Sequence, residues 1–296
     1  MNYTYYPGCS LSGSAMEYDV STRAVFERLG ITLTEIDDWN CCGATAAEAV
    51  SSLLGSALGA RNLALAESMD PSSDILVPCS ACYLNLKKVE MERREDPELA
   101  KNLDTILGEE DLAINNPPRV RHLLDVLVND ITADTLLQKT TRPLTGLRVV
   151  PYYGCQCLRP YAVFDDPEAP TSMDGLLRAC GAEVVEWEMG ARCCGASNMS
   201  TKPETAKKLV QKILMDARGA DAIATVCPMC QLNLEGFQKA ISRDAGTDLS
   251  ISVLYLPQLI GLALGLDQGE VKLDKNLALM PGFMEKLLGF DIVIPH

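Results

Sequence analysis

Ten of the twelve cysteines in this chain fall into a pattern that occurs twice. The first set is Cys9, the adjacent pair Cys41-Cys42 followed by Gly43, and Cys79-Ser80-Ala81-Cys82. The second is Cys155, then Cys193-Cys194-Gly195, then Cys227-Pro228-Met229-Cys230. The intervals nearly match, with 31 and 37 residues before the pair and 36 and 32 after it. Clustered thiolates are soft metal ligands, so the repetition implies two metal centres. A Cys-x-x-Cys alone would also serve zinc or a redox pair. A redox pair has no use for vicinal cysteines, and tetrahedral zinc would leave a fifth thiolate spare. Zinc in one or both sets stays an alternative. An ordinary iron–sulfur cubane takes four cysteines, so five per set suggests an unusual number or arrangement of irons. Neighbours in an extended chain point apart, and each pair must therefore bend or bind different irons. Gly43 and Gly195 leave room for a tight turn and a close approach.

The repeat extends to the elements that must carry these residues. Tyr5-Tyr6-Pro7-Gly8-Cys9 answers Pro151-Tyr152-Tyr153-Gly154-Cys155, and Cys82-Tyr83-Leu84-Asn85-Leu86 answers Cys230-Gln231-Leu232-Asn233-Leu234. In the first half the pattern predicts strands over 3–6, 31–36, 74–77 and 120–123. Helices are expected over 17–29, 45–68 and from Pro78 onward. In the second half strands are expected over 148–152, 183–186, 222–226 and 251–255. One helix should end at Cys180-Gly181, and another should be capped by Thr201 with Pro203 and Glu204 in its first turn. Strands alternating with helices read as an α/β fold: two similar Rossmann-like halves with parallel sheets, related by internal duplication. Thr140-Thr141-Arg142-Pro143 breaks the periodicity, giving halves 1–140 and 141–296. Every cysteine site then follows a strand and lies at the C-terminal strand edge, where such folds place their ligands.

Composition narrows the class further. With 47% apolar and 22% charged residues the chain is globular. A net charge of −14 argues against nucleic acid as a partner. Met1-Asn2-Tyr3-Thr4 lacks the start of a secretory signal, and the apolar stretch 252–266 is broken by Pro257 and Gln258. The expectation is a cytoplasmic chain without direct membrane insertion, its thiols reduced rather than paired in disulfides.

The order Cys, Cys-Cys-Gly, Cys-x-x-Cys resembles the CCG domain. In tandem over the whole chain it resembles the family of B-type subunits of CoB–CoM heterodisulfide reductase from methanogenic archaea. The resemblance implies CCG domains at 1–140 and 141–296, each holding a non-cubane 4Fe-4S cluster. The ligands would be Cys9, Cys41, Cys42, Cys79 and Cys82 in the first, and Cys155, Cys193, Cys194, Cys227 and Cys230 in the second. It further implies an iron–sulfur disulfide oxidoreductase, the catalytic subunit that reduces CoM-S-S-CoB to the coenzyme M and coenzyme B thiols. Scission would occur between the clusters in the cleft between halves, with no side-chain nucleophile. The implied partners are a ferredoxin-like iron–sulfur subunit and a flavin-containing subunit, with a hydrogenase or formate dehydrogenase as further neighbours. The chain itself has neither a ferredoxin cysteine run nor a Gly-x-Gly-x-x-Gly fingerprint. Fumarate, lactate and glycolate oxidoreductases share the domain. The alternative is thus an electron-relay or catalytic subunit of another CCG reductase.

Four further side chains need a place. Cys180 aligns with Leu29 and reads as a small buried residue, while Cys157 aligns with Leu11 and could face the second site. His122 reads as a packed, hydrogen-bonded imidazole, and His296 is the last residue. The substrate implied by the resemblance carries sulfonate, phosphate and carboxylate groups, which Arg or Lys suits. Arg192, Lys202 and Arg159 are the candidates for holding it.

Overall fold

The computed structural model describes residues 1–289, so His296 lies outside the described residues. Two four-stranded sheets organise the chain. The first contains β1 (Asn2–Tyr5), β2 (Thr32–Glu35), β3 (Ile75–Val77) and β4 (Val120–His122) in the order β2-β1-β3-β4. The second contains β5 (Arg148–Tyr152), β6 (Glu183–Val184), β7 (Ala222–Thr225) and β8 (Ser252–Tyr255) in the order β6-β5-β7-β8. All pairings are parallel. The same order in both sheets is the structural counterpart of the repeated cysteines.

Parallel strands covered on both faces read as unbroken apolar runs, and β3, β7 and β8 are buried at every position. The edge strand β2 instead alternates between exposed and half-buried residues. Alternation across the second sheet divides its side chains between two cores. Val149, Ala222, Ala224 and Leu254 join the large core shared by both halves, whereas Val150, Ile223 and Val253 join a smaller one on the opposite face.

The two halves are joined by buried surface. Helix Leu256–Ala263, buried at all eight residues, packs against helix Met16–Leu29. Beside it, Tyr18 and Tyr255 stack with ring centroids 4.1 Å apart and planes inclined by 7°.

Local structure departs from expectation in four places. The helix expected over 45–68 divides into Ala46–Val50 and Ser52–Met69, because Ser51 is extended and caps the second piece through Leu54 N–H. The helix expected from Pro78 begins at Ser80, with Cys79 as an extended N-cap. Lys202, not Thr201, is the N-cap of helix Pro203–Asp216, since Thr201 N–H closes a preceding turn onto Asn198 O. The strand expected over 183–186 shortens to the two residues of β6.

Candidate metal centres

Each cysteine set gathers because its members follow neighbouring strands. Cys9 follows β1, Cys41 and Cys42 follow β2, and Cys79 follows β3; the second set stands likewise after β5, β6 and β7. The order β2-β1-β3 also makes β1 the point where the chain turns to opposite sides, which is where open α/β sheets leave a crevice. Cys42, Cys79, Cys82, Cys194, Cys227 and Cys230 are buried, while Cys9, Cys41 and Cys193 are exposed.

Three devices hold both sets in the same way. First, the tyrosine three residues before the leading cysteine donates to the carbonyl just before the vicinal pair. Tyr6 Oη bonds Asn40 O at 2.7 Å, and Tyr152 Oη bonds Arg192 O at 2.7 Å. Each of these tyrosines also meets a tryptophan edge-on, Trp39 and Trp187 respectively. Second, the glycine before the leading cysteine has positive φ, +71° at Gly8 and +72° at Gly154. A Cβ there would come within 2.9 Å of Cys82 Sγ and 3.0 Å of Cys230 Sγ, so only glycine lets the chain pass this close to sulfur. Third, an asparagine three residues after the last cysteine donates to the carbonyl of the second vicinal cysteine. Asn85 does so to Cys42 O, and Asn233 to Cys194 O at 2.8 Å. The repeat displays both asparagines, yet spacing arguments centred on cysteine give them no role.

The thiols are in mutual contact. Cys194 Sγ and Cys230 Sγ lie 3.6 Å apart. In the first set the thiol of Cys82 lowers Cys42 to about 7 against the pull of burial, and the N–H of Ala44 assists. Cys82 is itself pushed well up by its bonds with Cys42 and Cys79. In the second set the thiol of Cys155 lowers Cys193 to about 6, with help from Gly195 N–H at 3.3 Å and the charge of Arg159. Cys230 likewise lowers Cys227 to about 7. Each set thus sheds a first proton readily, as a thiolate ligand must.

Five soft donors per set with no oxygen ligand among them fit an iron–sulfur group. Among the described residues, no three His, Cys, Asp or Glu side chains are disposed around one ion position. The fit therefore rests on the chemistry of the donor set.

Residues of both halves line a cavity of about 700 Å³. Both halves line it with residues that adjoin the cysteines in sequence: Ala44 and Ala81 from one side, Gln156, Ala196 and Met229 from the other. Helix Ser80–Glu95 contributes a stripe at Ala81, Leu84, Asn85, Lys88 and Glu92, the spacing of one helical face.

The three proposed substrate cations stand elsewhere. Arg159 is taken up by the carbonyls of Pro167 and Ala191, both at 2.6 Å, and by Glu168 at 3.0 Å. Arg192 borders a separate groove with Glu168, Glu186 and Glu188. Lys202 is exposed at its helix N-cap. None of them lines the cavity; Lys88 does, 2.7 Å from Glu48. Looking for cations next to cysteines in the sequence passed over the helical stripe.

Cys157 is buried and donates to Tyr153 O at 3.2 Å, and Cys180 is fully buried with its thiol pushed up to about 12 by burial. His122 is also fully buried. Its Nδ1 accepts from Leu124 N at 3.2 Å, which leaves the proton on Nε2, 3.2 Å from Ser80 Oγ. Ser80 passes a hydrogen bond to Val226 O at 3.1 Å, and Tyr18 Oη reaches both Pro78 O at 3.0 Å and Val226 O at 3.1 Å. One hydroxyl thus spans the residues that precede Cys79 and Cys227.

This duplicated site defines the class: the chain belongs to the CCG cysteine-rich domain family, whose domain matches residues 3–87 and again 149–235. Its similarities extend along nearly the whole chain. It is 35% identical over 279 residues to the 8-methylmenaquinol:fumarate reductase membrane anchor subunit of Wolinella succinogenes, covering 93% of this chain and 96% of that one. It is 30% identical over 287 residues to the B-type subunit of the ferredoxin/F420H2-dependent CoB-CoM heterodisulfide reductase of Methanosarcina acetivorans, with 95% of each covered. A hypothetical protein from Helicobacter pylori superposes with a TM-score of 0.77 at 13% identity, over 95% of this chain and 52% of that longer one. The last likeness concerns the fold alone. No described helix is long and apolar enough to cross a membrane.

Proposed function

We propose that this chain is the iron–sulfur subunit of a multi-subunit reductase and that a small disulfide is reduced in the cavity between its halves. The observation that supports this reading is a pair of like-built five-cysteine sets together with one cavity lined by residues of both halves next to those cysteines in sequence. Cys9, Cys41, Cys42, Cys79 and Cys82 would hold one cluster, and Cys155, Cys193, Cys194, Cys227 and Cys230 the other. When bound, such clusters supply electrons one at a time, whereas opening a disulfide takes two. Two centres around one cavity meet that demand without a side-chain nucleophile.

The residues of the chain would fix the geometry. Asn85 and Asn233 hold the vicinal pairs, Tyr6 and Tyr152 hold the approach to them, and Tyr18 ties the two Cys-x-x-Cys segments together. We take 1–140 and 141–296 as the two domains. Electrons would enter from partner subunits, as the names of several relatives as reductase subunits suggest. CoM-S-S-CoB is the disulfide named for the archaeal relatives. A second reading, electron exchange within a quinol-linked fumarate reductase, is favoured by the 35% identity to the Wolinella subunit.

Anaerobic purification followed by iron and acid-labile sulfide analysis tests the centres. Dye-linked reduction of disulfides and of quinones then separates the two readings. Stoichiometric zinc in either half removes the iron–sulfur reading for that half.

A further inference from the structure

The cavity is poorly equipped for an anionic guest. Among its lining residues Lys88 is the sole cation, and Glu48 and Glu92 oppose it. Lys88 Nζ is already 2.7 Å from a Glu48 carboxylate oxygen. A substrate with several anionic groups would have to displace Glu48 and then face two uncompensated carboxylates. The chain's net charge of −14 adds a repulsive long-range field.

The remaining lining has another character. Leu84, Met229, Pro160 and the ring of Tyr161 supply apolar surface, and Asn85 and Gln156 supply neutral amides. Such walls recognise an uncharged molecule with one or two polar atoms on an apolar body.

We propose that the cavity binds an uncharged, partly apolar two-electron carrier and discriminates against polyanions through Glu48 and Glu92. This rests on the reading of the cavity as the substrate site and names the class of molecule it takes. Two sources share that chemistry, neutral organic disulfides and quinones, and the test distinguishes them.

The experiment is equilibrium binding to anaerobically purified, iron-replete full-length protein. Three probes are compared: 2-hydroxyethyl disulfide, menadione and the polyanionic CoM-S-S-CoB. At least one neutral probe should saturate, with an affinity that changes less than about twofold between low and moderate salt. The polyanion should bind about tenfold more weakly or worse at low salt, where repulsion is least screened. Replacing both carboxylates, Glu48→Gln with Glu92→Gln, should tighten the polyanion several-fold and leave the neutral probe in place. Which neutral probe saturates assigns the source. Tighter binding of CoM-S-S-CoB than of either neutral probe by the unaltered protein overturns the proposal and leaves the reductase reading standing. If no probe saturates, the cavity is not the substrate site, and both readings fall together.

Discussion

In the first half Cys79 is followed by Ser80, in the second Cys227 is followed by Pro228, and much of the difference between the centres grows from that step. Proline has no side-chain donor. Ser80, by contrast, reaches across the seam to Val226 O, the carbonyl just before Cys227, at 3.1 Å. The strand ends repeat the asymmetry: β4 closes on His122, which supports Ser80, while β8 closes on Tyr255, which stacks on Tyr18. The first half therefore bonds to the cysteine environment of the second. Duplication preserved the devices around each set and let the surroundings diverge, so the two cysteine sets stand in unlike environments.

The largest expected effect separates the halves outright. Cys194→Ala should remove the second centre and roughly half of the iron, while Cys42→Ala should remove the first. Iron content with magnetic-resonance spectra of each variant decides this. Two intact cluster signals in Cys194→Ala would falsify the five-ligand assignment.

Acid and neutral pH should stress different halves. Burial lowers His122 from 6.5 to about 4, so its contribution to stability is present above pH 6.5 and is lost as pH falls toward 4. Glu235 in the second half is raised from 4.5 to about 7, again by burial, so its contribution is full below pH 4.5 and is lost as pH rises toward 7. Each shift amounts to about 3.5 kcal/mol at most, taking ~1.4 kcal/mol per pKa unit. Denaturation midpoints across pH 4–8 should show the acid limb flatten in His122→Gln and the neutral limb flatten in Glu235→Gln. An unchanged limb in either variant removes that group as its cause.

A smaller effect sharpens the contrast at the seam. Ser80→Ala takes away the hydroxyl bonded to the carbonyl just before Cys227, and hydrogen bonding around a ligating sulfur tunes a cluster's potential. The potential of the second centre should shift by something on the order of tens of millivolts while the first stays nearer its value. Redox titration of both signals checks this, and equal shifts would mean that Ser80 acts on the seam as a whole. Smallest of all is Cys180→Val, a near volume-conserving change at a buried site. It should cost under about 1.5 kcal/mol and leave both clusters loaded. Loss of iron from that variant would show that a cysteine outside the two sets supports a centre.

How far the sequence speaks for itself follows the range of each interaction. Cysteines behind successive strands were legible because a parallel sheet brings strand ends together whatever the length of the intervening helices. Asn85 and Asn233 were visible as repeated letters, but their acceptors are backbone carbonyls, and those appear only once the turn is built. Lys88 was hidden differently. Its link to the cavity is a helical face shared with Ala81 and Glu92, whereas cations adjacent to cysteines in sequence, such as Arg192, point into another groove. Tyr18 was beyond reach, since one of its partners, Val226, lies 208 residues away in the other half. The break at Ser51 reflects a local cap outcompeting helix propensity, and the late start at Ser80 follows from the extended backbone of Cys79.

Helix Leu256–Ala263 has a consequence for biosynthesis. It covers helix Met16–Leu29, and the Arg28–Leu264 contact beside it joins residues 236 positions apart. At ribosomal rates, the face carrying Val25, which lies against Gly261, emerges on the order of tens of seconds before the segment that will cover it. During that interval the nascent first half presents an open apolar surface, and metal loaded at Cys9 or Cys82 would sit in a domain not yet closed. Cluster insertion is therefore expected to follow release of the finished chain.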